Sequence, residues 1–433
     1  MKNNRPGLLN RRRVVAAGAL AASGAALLAA RPADRGAPQA GDFAAIAQAL
    51  KAAGMASTPT LVVDRARLRA NAAKVQAHAQ GHRLALRLVN KSLPSLRLLD
   101  EVGAAAAGAR QMVFSLPYLA LVAQERPHTD VLLGKPLPAA AAAAFLAAPP
   151  ASGFDPARQL QWLVDTPQRL AQYREVARGR GQPLRINIEI DVGLHRGGVA
   201  DEETLRSMLQ MVLEEPLLRF AGFMGYDAHT QKIPDIVGAR ERVHRQVLET
   251  YQRFVDALRA SPLPLAEPLT FNTAGSPTFR LHDGSGAANE VAVGSAMVLP
   301  SDFDTPLLAD LQPAVWIATP VLKVGDFAAP NGVGALGRLA RAWDINQRTA
   351  HFIHGGNWLA DPVSPPGLGT SALMGLSSNQ QLLVGSGGQA LRPDDMVFFR
   401  PRQSEAVLQQ FGDIVVYEGG QVVDQWPVFP ARG

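Results

Sequence analysis

Short apolar runs alternate with helix-forming stretches through the first two-thirds of the chain, and this alternation constrains the fold more than any other feature. Strand–helix repetition of this kind predicts a parallel α/β fold. The chain has nine such runs, whereas an eight-stranded barrel needs eight, so one run must lie outside the barrel. The nine runs are Leu61–Asp64, Leu84–Val89, Met112–Phe114, Val131–Leu133, Leu160–Asp165, Leu184–Asp191, Phe220–Tyr226, Leu269–Asn272 and Glu290–Val293.

The amino-acid composition of the sequence changes near residue 305. Beyond it Pro, Gly and Val become frequent, and we expect no long helices there. Segments such as Asp413–Tyr417 and Gln421–Asp424 are typical of strands joined by turns. We therefore predict three regions: a targeting segment and linker over residues 1–40, a barrel domain over 57–304, and a β-rich C-terminal domain over 305–433.

The N-terminus has the pattern of an export signal. Arg11, Arg12 and Arg13 precede the Ala/Gly-rich apolar stretch Val14–Ala30, which is typical of a twin-arginine signal. The alternative is a membrane-anchoring helix, but this stretch is shorter than the ~20 apolar residues that a span needs. We predict a bacterial protein that is periplasmic or secreted after folding and keeps no stable membrane anchor.

Composition narrows the choice of partners. The first 36 residues hold seven of the 43 basic residues and one of the 37 acidic ones, so the rest of the chain is neutral despite the overall charge of +6. A neutral body gives no electrostatic reason to expect a nucleic-acid partner. The chain has no cysteine, which excludes disulfides, thiol nucleophiles and thiolate metal ligands.

Lys91 is the strongest single candidate for catalysis. It follows the apolar run Leu84–Val89 and is one of only seven lysines among the 43 basic residues. At the end of a buried strand a lysine can be desolvated, which lowers an ammonium pKa and leaves a nucleophilic amine. The alternative is a lysine whose amine simply reaches solvent. Lys135 and Lys323 occupy comparable positions, so placement alone favours Lys91 only modestly.

Seven short segments, none decisive by itself, follow one another in a characteristic order. They are Thr58–Asp64, Arg87–Ser92, Asp191–Val199, Gly222–His229, Thr273–Phe279, Glu290–Ser295 and Val422–Val428. In this order the chain resembles the fold-type III pyridoxal-phosphate enzymes of the alanine-racemase-like superfamily, and most closely their D-threonine aldolase / D-serine dehydratase branch. The resemblance extends over roughly residues 56–430. It implies a (β/α)8 TIM-type barrel plus a C-terminal β-rich domain, with Leu61–Asp64 outside the barrel.

The resemblance assigns a role to each candidate side chain. It makes Lys91 the residue that forms the internal aldimine with pyridoxal 5'-phosphate, at the strand end where barrels of this type build their sites. It places Arg87 near the cofactor, the alternative being a salt-bridged arginine inside the barrel. It places Arg196 near the cofactor's phenolate oxygen, where a guanidinium suits the charge; alternatively Arg196 only caps a turn. One or both of Tyr226 and His229 are expected to face the cofactor and to relay protons, the alternative for His229 being a structural histidine at the end of a strand.

Two loops form the predicted phosphate site. Thr273, Gly275 and Ser276 follow the seventh barrel strand, and Gly294 and Ser295 follow the eighth. Loops in these positions often bind phosphate in such barrels, because small residues let backbone N–H groups approach the anion. Either loop alone would be an ordinary turn, so the prediction rests on their combination.

Two departures from the family pattern put its usual reaction in doubt. In this branch a His and a His-x-Cys pair hold a divalent metal, and the matching positions here are Gln380, Gln403 and Glu405. Neutral amides and one carboxylate make a poor transition-metal site, so we predict none. His351 and His354 are conceivable substitutes, although a strand hairpin is the simpler interpretation. The residues before Lys91 also lack a histidine that the family often has there.

The sequence therefore predicts a pyridoxal-phosphate enzyme that acts on small D-amino acids by aldol cleavage, elimination or racemisation at Cα. The alternatives are an exported non-catalytic binding protein with the same fold, a metal-independent amino-acid racemase, and a barrel enzyme without this cofactor. A homodimer is implied by the resemblance alone.

Overall fold

The structure, a computed structural model, describes residues 31–104, 110–234, 236–265 and 268–430. The predicted twin-arginine signal falls outside these residues and stays a prediction. Over the described residues, no helix combines the length and the apolar character that crossing a bilayer requires.

The predicted elements are present in the predicted order. The strands are β1 (Thr60–Asp64), β2 (Ala85–Val89), β3 (Arg110–Val113), β4 (Asp130–Leu133), β5 (Leu160–Val164), β6 (Leu184–Glu189), β7 (Leu218–Gly225), β8 (Thr270–Thr273), β9 (Glu290–Val293), β10 (Val315–Asp326), β11 (Thr349–His354), β12 (Ala360–Ser364), β13 (Gly369–Thr370), β14 (Gln380–Gly385), β15 (Met396–Pro401), β16 (Ile414–Glu418) and β17 (Gln421–Trp426). The helices are α1 (Gly41–Ala52), α2 (Arg65–Gly81), α3 (Leu96–Gly103), α4 (Leu116–Glu125), α5 (Ala139–Ala147), α6 (Pro156–Gln159), α7 (Pro167–Arg180), α8 (Glu202–Glu214), α9 (His229–Lys232), α10 (Ala239–Arg259), α11 (Gly334–Trp343) and α12 (Ser404–Val407).

Strands β2 to β9 close into a parallel eight-stranded barrel, which confirms the predicted fold class. The barrel closes where β2 pairs with β9, with Arg87 opposite Ala292. All six residues of β6 are buried, as expected for a parallel strand covered on both faces. The ninth apolar run, β1, lies outside the barrel as predicted and pairs in parallel with β16.

Polar side chains cap the start of four of the helices around the barrel. Asp64, Ser95, Thr166 and Asp201 each accept a hydrogen bond from a backbone N–H in the first turn of the helix that follows. A capping oxygen of this kind stabilises a helix by about 1 kcal/mol. The caps at Ser95, Thr166 and Asp201 thereby fix where the loops after β2, β5 and β6 end, and these loops contain the cavity residues Lys91, Asp165 and Arg196.

The chain forms two compact units. One contains the barrel and comprises Thr60–Ile317, Leu359–Asp361 and residues 400–430. The other comprises residues 31–59, Ala318–Trp358 and Pro362–Phe399. Segments after residue 305 occur in both units, so sequence order alone does not separate them. The boundary predicted between residues 304 and 305 stays a prediction about sequence domains.

The second unit is rich in antiparallel sheet, as predicted. Strand β11 pairs with β14, with Phe352 opposite Leu382, and also with β10. Phe327, Ala350, Leu382 and Val384 form a buried apolar cluster of this unit. The expectation that long helices disappear after residue 305 is wrong in one place, because α11 forms one over ten residues.

Candidate active site

The carboxyl ends of all eight barrel strands contribute to two adjoining cavities of about 590 and 1130 Å³, which we call the inner and the outer cavity. Five residues line both cavities: Lys91, Phe114, Gly134, Arg196 and Glu405. The fold thus brings most of the predicted site residues to one place, although they lie up to 200 residues apart in sequence.

Lys91 projects into both cavities from the turn after β2. Its ammonium group lies 5.0 Å from the centre of the Phe114 ring and 3.4 Å from Oε1 of Glu405. The side chain is 41% exposed, so the desolvation expected from its strand-end position does not occur here. Contact with an aromatic face and a carboxylate, rather than burial, defines the surroundings of this amine.

Arg196 and Tyr226 form a contact on the wall of the inner cavity. The Arg196 guanidinium carbon lies 4.8 Å from the centre of the Tyr226 ring. Burial raises the pKa of Tyr226, although the charge of Arg196 opposes the change. The phenol is therefore neutral at ordinary pH and can donate a hydrogen bond, and the guanidinium supplies a fixed positive charge beside it.

The two predicted phosphate loops meet at the inner cavity. The Ser276 hydroxyl accepts hydrogen bonds from the backbone N–H groups of Gly294 (3.1 Å) and Ala296 (3.0 Å), which ties the loop after β8 to the loop after β9. A side chain at Gly275 would place its Cβ 2.6 Å from the Tyr226 ring, and a Cβ at Gly294 would lie 2.9 Å from Val89. Both positions therefore need glycine for close packing, and both backbones reach the cavity wall.

Arg87 does not line either cavity. Its side chain is fully buried, and its five N–H groups are engaged by the carboxylates of Glu290 and Asp130 and by the backbone oxygens of Gln111 and Asp130. Burial alone would lower the pKa of Arg87, but the charges of Glu290 and Asp130 raise it on balance. The structure thus has the salt-bridged interior arginine that was the alternative interpretation, and leaves no donor for a cofactor.

His229 and Thr273 also lie off the cavity walls. His229 begins α9, its Nδ1 is buried without a hydrogen-bond partner, and its ring faces Gly193. Thr273 is fully buried and its hydroxyl likewise lacks a partner. Their predicted cofactor contacts stay predictions that this geometry does not support.

Sequence reasoning missed several polar residues on the cavity walls, among them Asn272 and Glu189. Asn272 lines the inner cavity and donates to Glu290 at 2.9 Å. Glu189 lines the outer cavity, and burial raises its pKa to about 7 despite the opposing charge of Arg196. Both are the last or next-to-last residues of barrel strands. A polar residue within the carboxyl end of a buried strand was the feature that could have revealed them.

A cluster of one carboxylate and two histidines lies behind the loop after β8. Asp227 accepts hydrogen bonds from the Thr278 hydroxyl (2.5 Å) and from His282 Nε2 (2.9 Å), and the His244 ring packs edge-on to His282. The ligand atoms of Asp227, His244 and His282 lie within 4.8 Å of one another, a set that could hold a metal ion. Thr278 also accepts from the Gly275 N–H, so this cluster supports the loop.

The residues at the family's metal positions do not form such a set. The Gln403 amide donates to Asp302 Oδ2 at 3.1 Å, whereas Glu405 faces the cavities. Gln380 begins β14, and His351 lies buried within β11 with neither ring nitrogen bonded. The predicted absence of a divalent metal stays a prediction.

Comparison with known proteins identifies the family. The model of the alanine racemase N-terminal domain matches residues 63–302. The chain belongs to this family. It is 27% identical over 249 residues to a D-threonine aldolase of Arthrobacter sp., which covers 57% of this chain and 62% of that protein. A 3-hydroxy-D-aspartate aldolase of Paracoccus denitrificans (strain Pd 1222) is 25% identical over 249 residues, with 57% and 61% coverage. The match spans less than two-thirds of either relative.

Solved structures of the alanine racemase family share the fold. The D-threonine aldolase from Filomicrobium marinum superposes with a TM-score of 0.68 at 19% identity, over 86% of this chain and 95% of that one. The alanine racemase from Bacillus anthracis gives a TM-score of 0.64 at 12% identity, over 86% and 98%. These likenesses establish the barrel and the β-rich domain as those of the family.

The site fits pyridoxal phosphate, the cofactor that members of this family use. An amine in the cavity, a guanidinium beside a phenol, and two glycine-containing loops with serine hydroxyls match its aldehyde, its ring oxygen and its phosphate. The tight packing at Gly275 and Gly294 leaves no room for a side chain at these two positions, so backbone forms the cavity wall there.

Proposed function

We propose that the chain is a pyridoxal-phosphate-dependent enzyme that acts on small D-amino acids, with Lys91 holding the cofactor. One observation carries the proposal: Lys91, Arg196, Tyr226 and the Gly275 and Gly294 loops line one cavity at the carboxyl ends of the barrel strands. The D-configuration is supported by the names of the relatives, which act on D-threonine and 3-hydroxy-D-aspartate.

Each residue has a role that follows from its position. The bound cofactor would supply an electron sink for a negative charge at Cα of the substrate. Lys91 is the amine that would bind the cofactor's carbonyl carbon and later move the proton at Cα. Arg196 would hold the ring oxygen through its fixed charge. The Ser276 hydroxyl, which accepts from two backbone N–H groups and can donate its own proton, would bind the phosphate where the Gly275 and Gly294 loops meet.

The outer cavity admits the substrate. Its wall contains the cations Lys135 and Arg196 as well as the carboxylates Asp165 and Glu189. Because burial raises the pKa of Glu189 to about 7, this side chain is partly protonated at neutral pH and can either accept or donate a proton. The outer cavity therefore suits a small zwitterion with a polar side chain.

Aldol cleavage is the reaction we place first, since both relatives are named aldolases. Racemisation is the second candidate, favoured by Gln403, whose amide is turned to Asp302 and supplies no metal ligand. Incubation of the cofactor-loaded protein with D- and L-threonine and D- and L-alanine separates them. Aldehyde release from D-threonine supports the lyase, and loss of optical activity from alanine supports the racemase. Turnover of neither amino acid, in the presence of bound cofactor, would contradict the proposal.

A further inference from the structure

Glu405 places a carboxylate beside the candidate catalytic lysine. It lies in the short helix α12, and its Oε1 is 3.4 Å from the Lys91 amine. The side chain is about one-third exposed and lines both cavities, so that a substrate bound to the inner cavity would meet it.

Serine hydroxyls hold one oxygen of this carboxylate, and the other, Oε1, accepts a hydrogen bond from the Lys91 amine at the cavity wall. Oε2 accepts from the Ser404 hydroxyl at 3.1 Å and lies 3.5 Å from the Ser295 hydroxyl. Ser404 and Ser295 are both buried, and their hydroxyl oxygens lie 3.0 Å from each other. A carboxylate anchored at one oxygen is oriented for proton transfer at the other.

Gln403, two positions before Glu405, takes no part in this arrangement around Lys91. The Gln403 amide is bonded to Asp302, and Gln403 lines neither cavity. An amide cannot accept a proton from a hydroxyl at neutral pH, whereas a carboxylate can. Of this pair of side chains, only Glu405 has the position and the chemistry to act on a substrate.

We propose that Glu405 is the catalytic base for the substrate's β-hydroxyl group; this inference rests on the proposed function. In the step, the hydroxyl proton moves to Glu405 Oε1 and the oxygen forms a carbonyl with Cβ. The Cα–Cβ bond breaks, and its electron pair stays with the Cα fragment, which then takes up a proton at Cα. One β-hydroxy amino acid thus gives one aldehyde and one shortened amino acid, and the reaction needs no oxidant or reductant.

The test compares two reactions, only one of which needs this base. Cleavage of D-threonine requires removal of the hydroxyl proton, whereas exchange of the Cα hydrogen of D-alanine in deuterated water does not. Positioned general bases accelerate reactions by about 10²–10⁴-fold. For Glu405→Gln we expect a loss of this order in kcat for cleavage, with exchange close to that of the wild type.

The experiment uses the full cofactor-loaded chain with a metal chelator present throughout. Glu249→Gln, which makes the same change on the exposed face of α10, is the matched control. Glu405→Asp keeps a carboxylate and should restore part of the cleavage rate. The visible absorption of each variant and its equilibrium affinity for D-alanine, followed by the same absorption, show whether cofactor and substrate still bind.

The outcomes separate the two proposals. If the wild type binds no cofactor, the proposed function fails and the role of Glu405 fails with it. If the wild type binds cofactor but Glu405→Gln cleaves D-threonine normally, or cleavage by the wild type requires added metal or does not occur, only the role of Glu405 is overturned. Equal losses of cleavage and exchange in Glu405→Gln would make it a positioning residue for Lys91 and overturn its role as base.

Discussion

Replacement of Arg87 by methionine distinguishes a structural arginine from a cofactor ligand. The side chain is fully buried and bonded to Glu290, which is itself fully buried, and to Asp130. Removal of one partner of a buried ion pair costs about 3–5 kcal/mol, because the other charge is left uncompensated. Arg110 and Asn272 still donate to Glu290 in Arg87→Met, so we expect a loss near the lower limit, about 3 kcal/mol.

Urea unfolding followed by tryptophan fluorescence measures this loss. The matched variants are Glu290→Gln and the double variant Arg87→Met/Glu290→Gln. Because the double variant removes both charges, it should be more stable than Arg87→Met alone. Cofactor affinity, measured by visible absorption of the folded protein, should stay close to that of the wild type in all three. An Arg87→Met protein with nearly normal stability that no longer binds the cofactor would refute this reasoning.

Two further substitutions test separate parts of the account. Gly275→Ala puts a Cβ 2.6 Å from the Tyr226 ring, so cofactor affinity should fall about tenfold or more, whereas Gly179→Ala, whose Cβ meets nothing within 4 Å, should leave it unchanged. Titration of the cofactor into both apoproteins checks this, and equal affinities would contradict it. Burial lowers the pKa of His351 from 6.5 to about 4. As the pH drops between these two values, the unfolded chain takes up a proton at His351 before the folded chain does. The free energy of unfolding should therefore fall by about 3 kcal/mol over this range. In His351→Phe, urea midpoints measured from pH 4 to 7 should lose that dependence, and an unchanged slope would contradict it.

The barrel could be predicted from sequence because its strands are local features. Each strand is a short apolar run that can be recognised from a few consecutive residues, and the polar caps at Asp64 and Thr166 mark where helices begin. The loops at Gly275 and Gly294 were also predictable, since their place after the last two barrel strands is fixed by strand order.

The partners of charged residues could not be predicted in the same way. Spacing along β2 places Arg87 on a face of the strand, but its partners Asp130 and Glu290 come from β4 and β9 and meet it only in the closed barrel. Glu405 follows the same principle, because its distance from Lys91 depends on a chain segment more than 300 residues away.

The absorption spectrum of the purified protein tests the central claim most directly. We predict that the wild type binds pyridoxal phosphate with a visible band and that Lys91→Ala loses this band. Lys323→Ala, which changes an exposed strand lysine, should keep it. A wild type that stays colourless with added cofactor, or a band that survives in Lys91→Ala, would contradict the assignment of Lys91 as the residue that holds the cofactor.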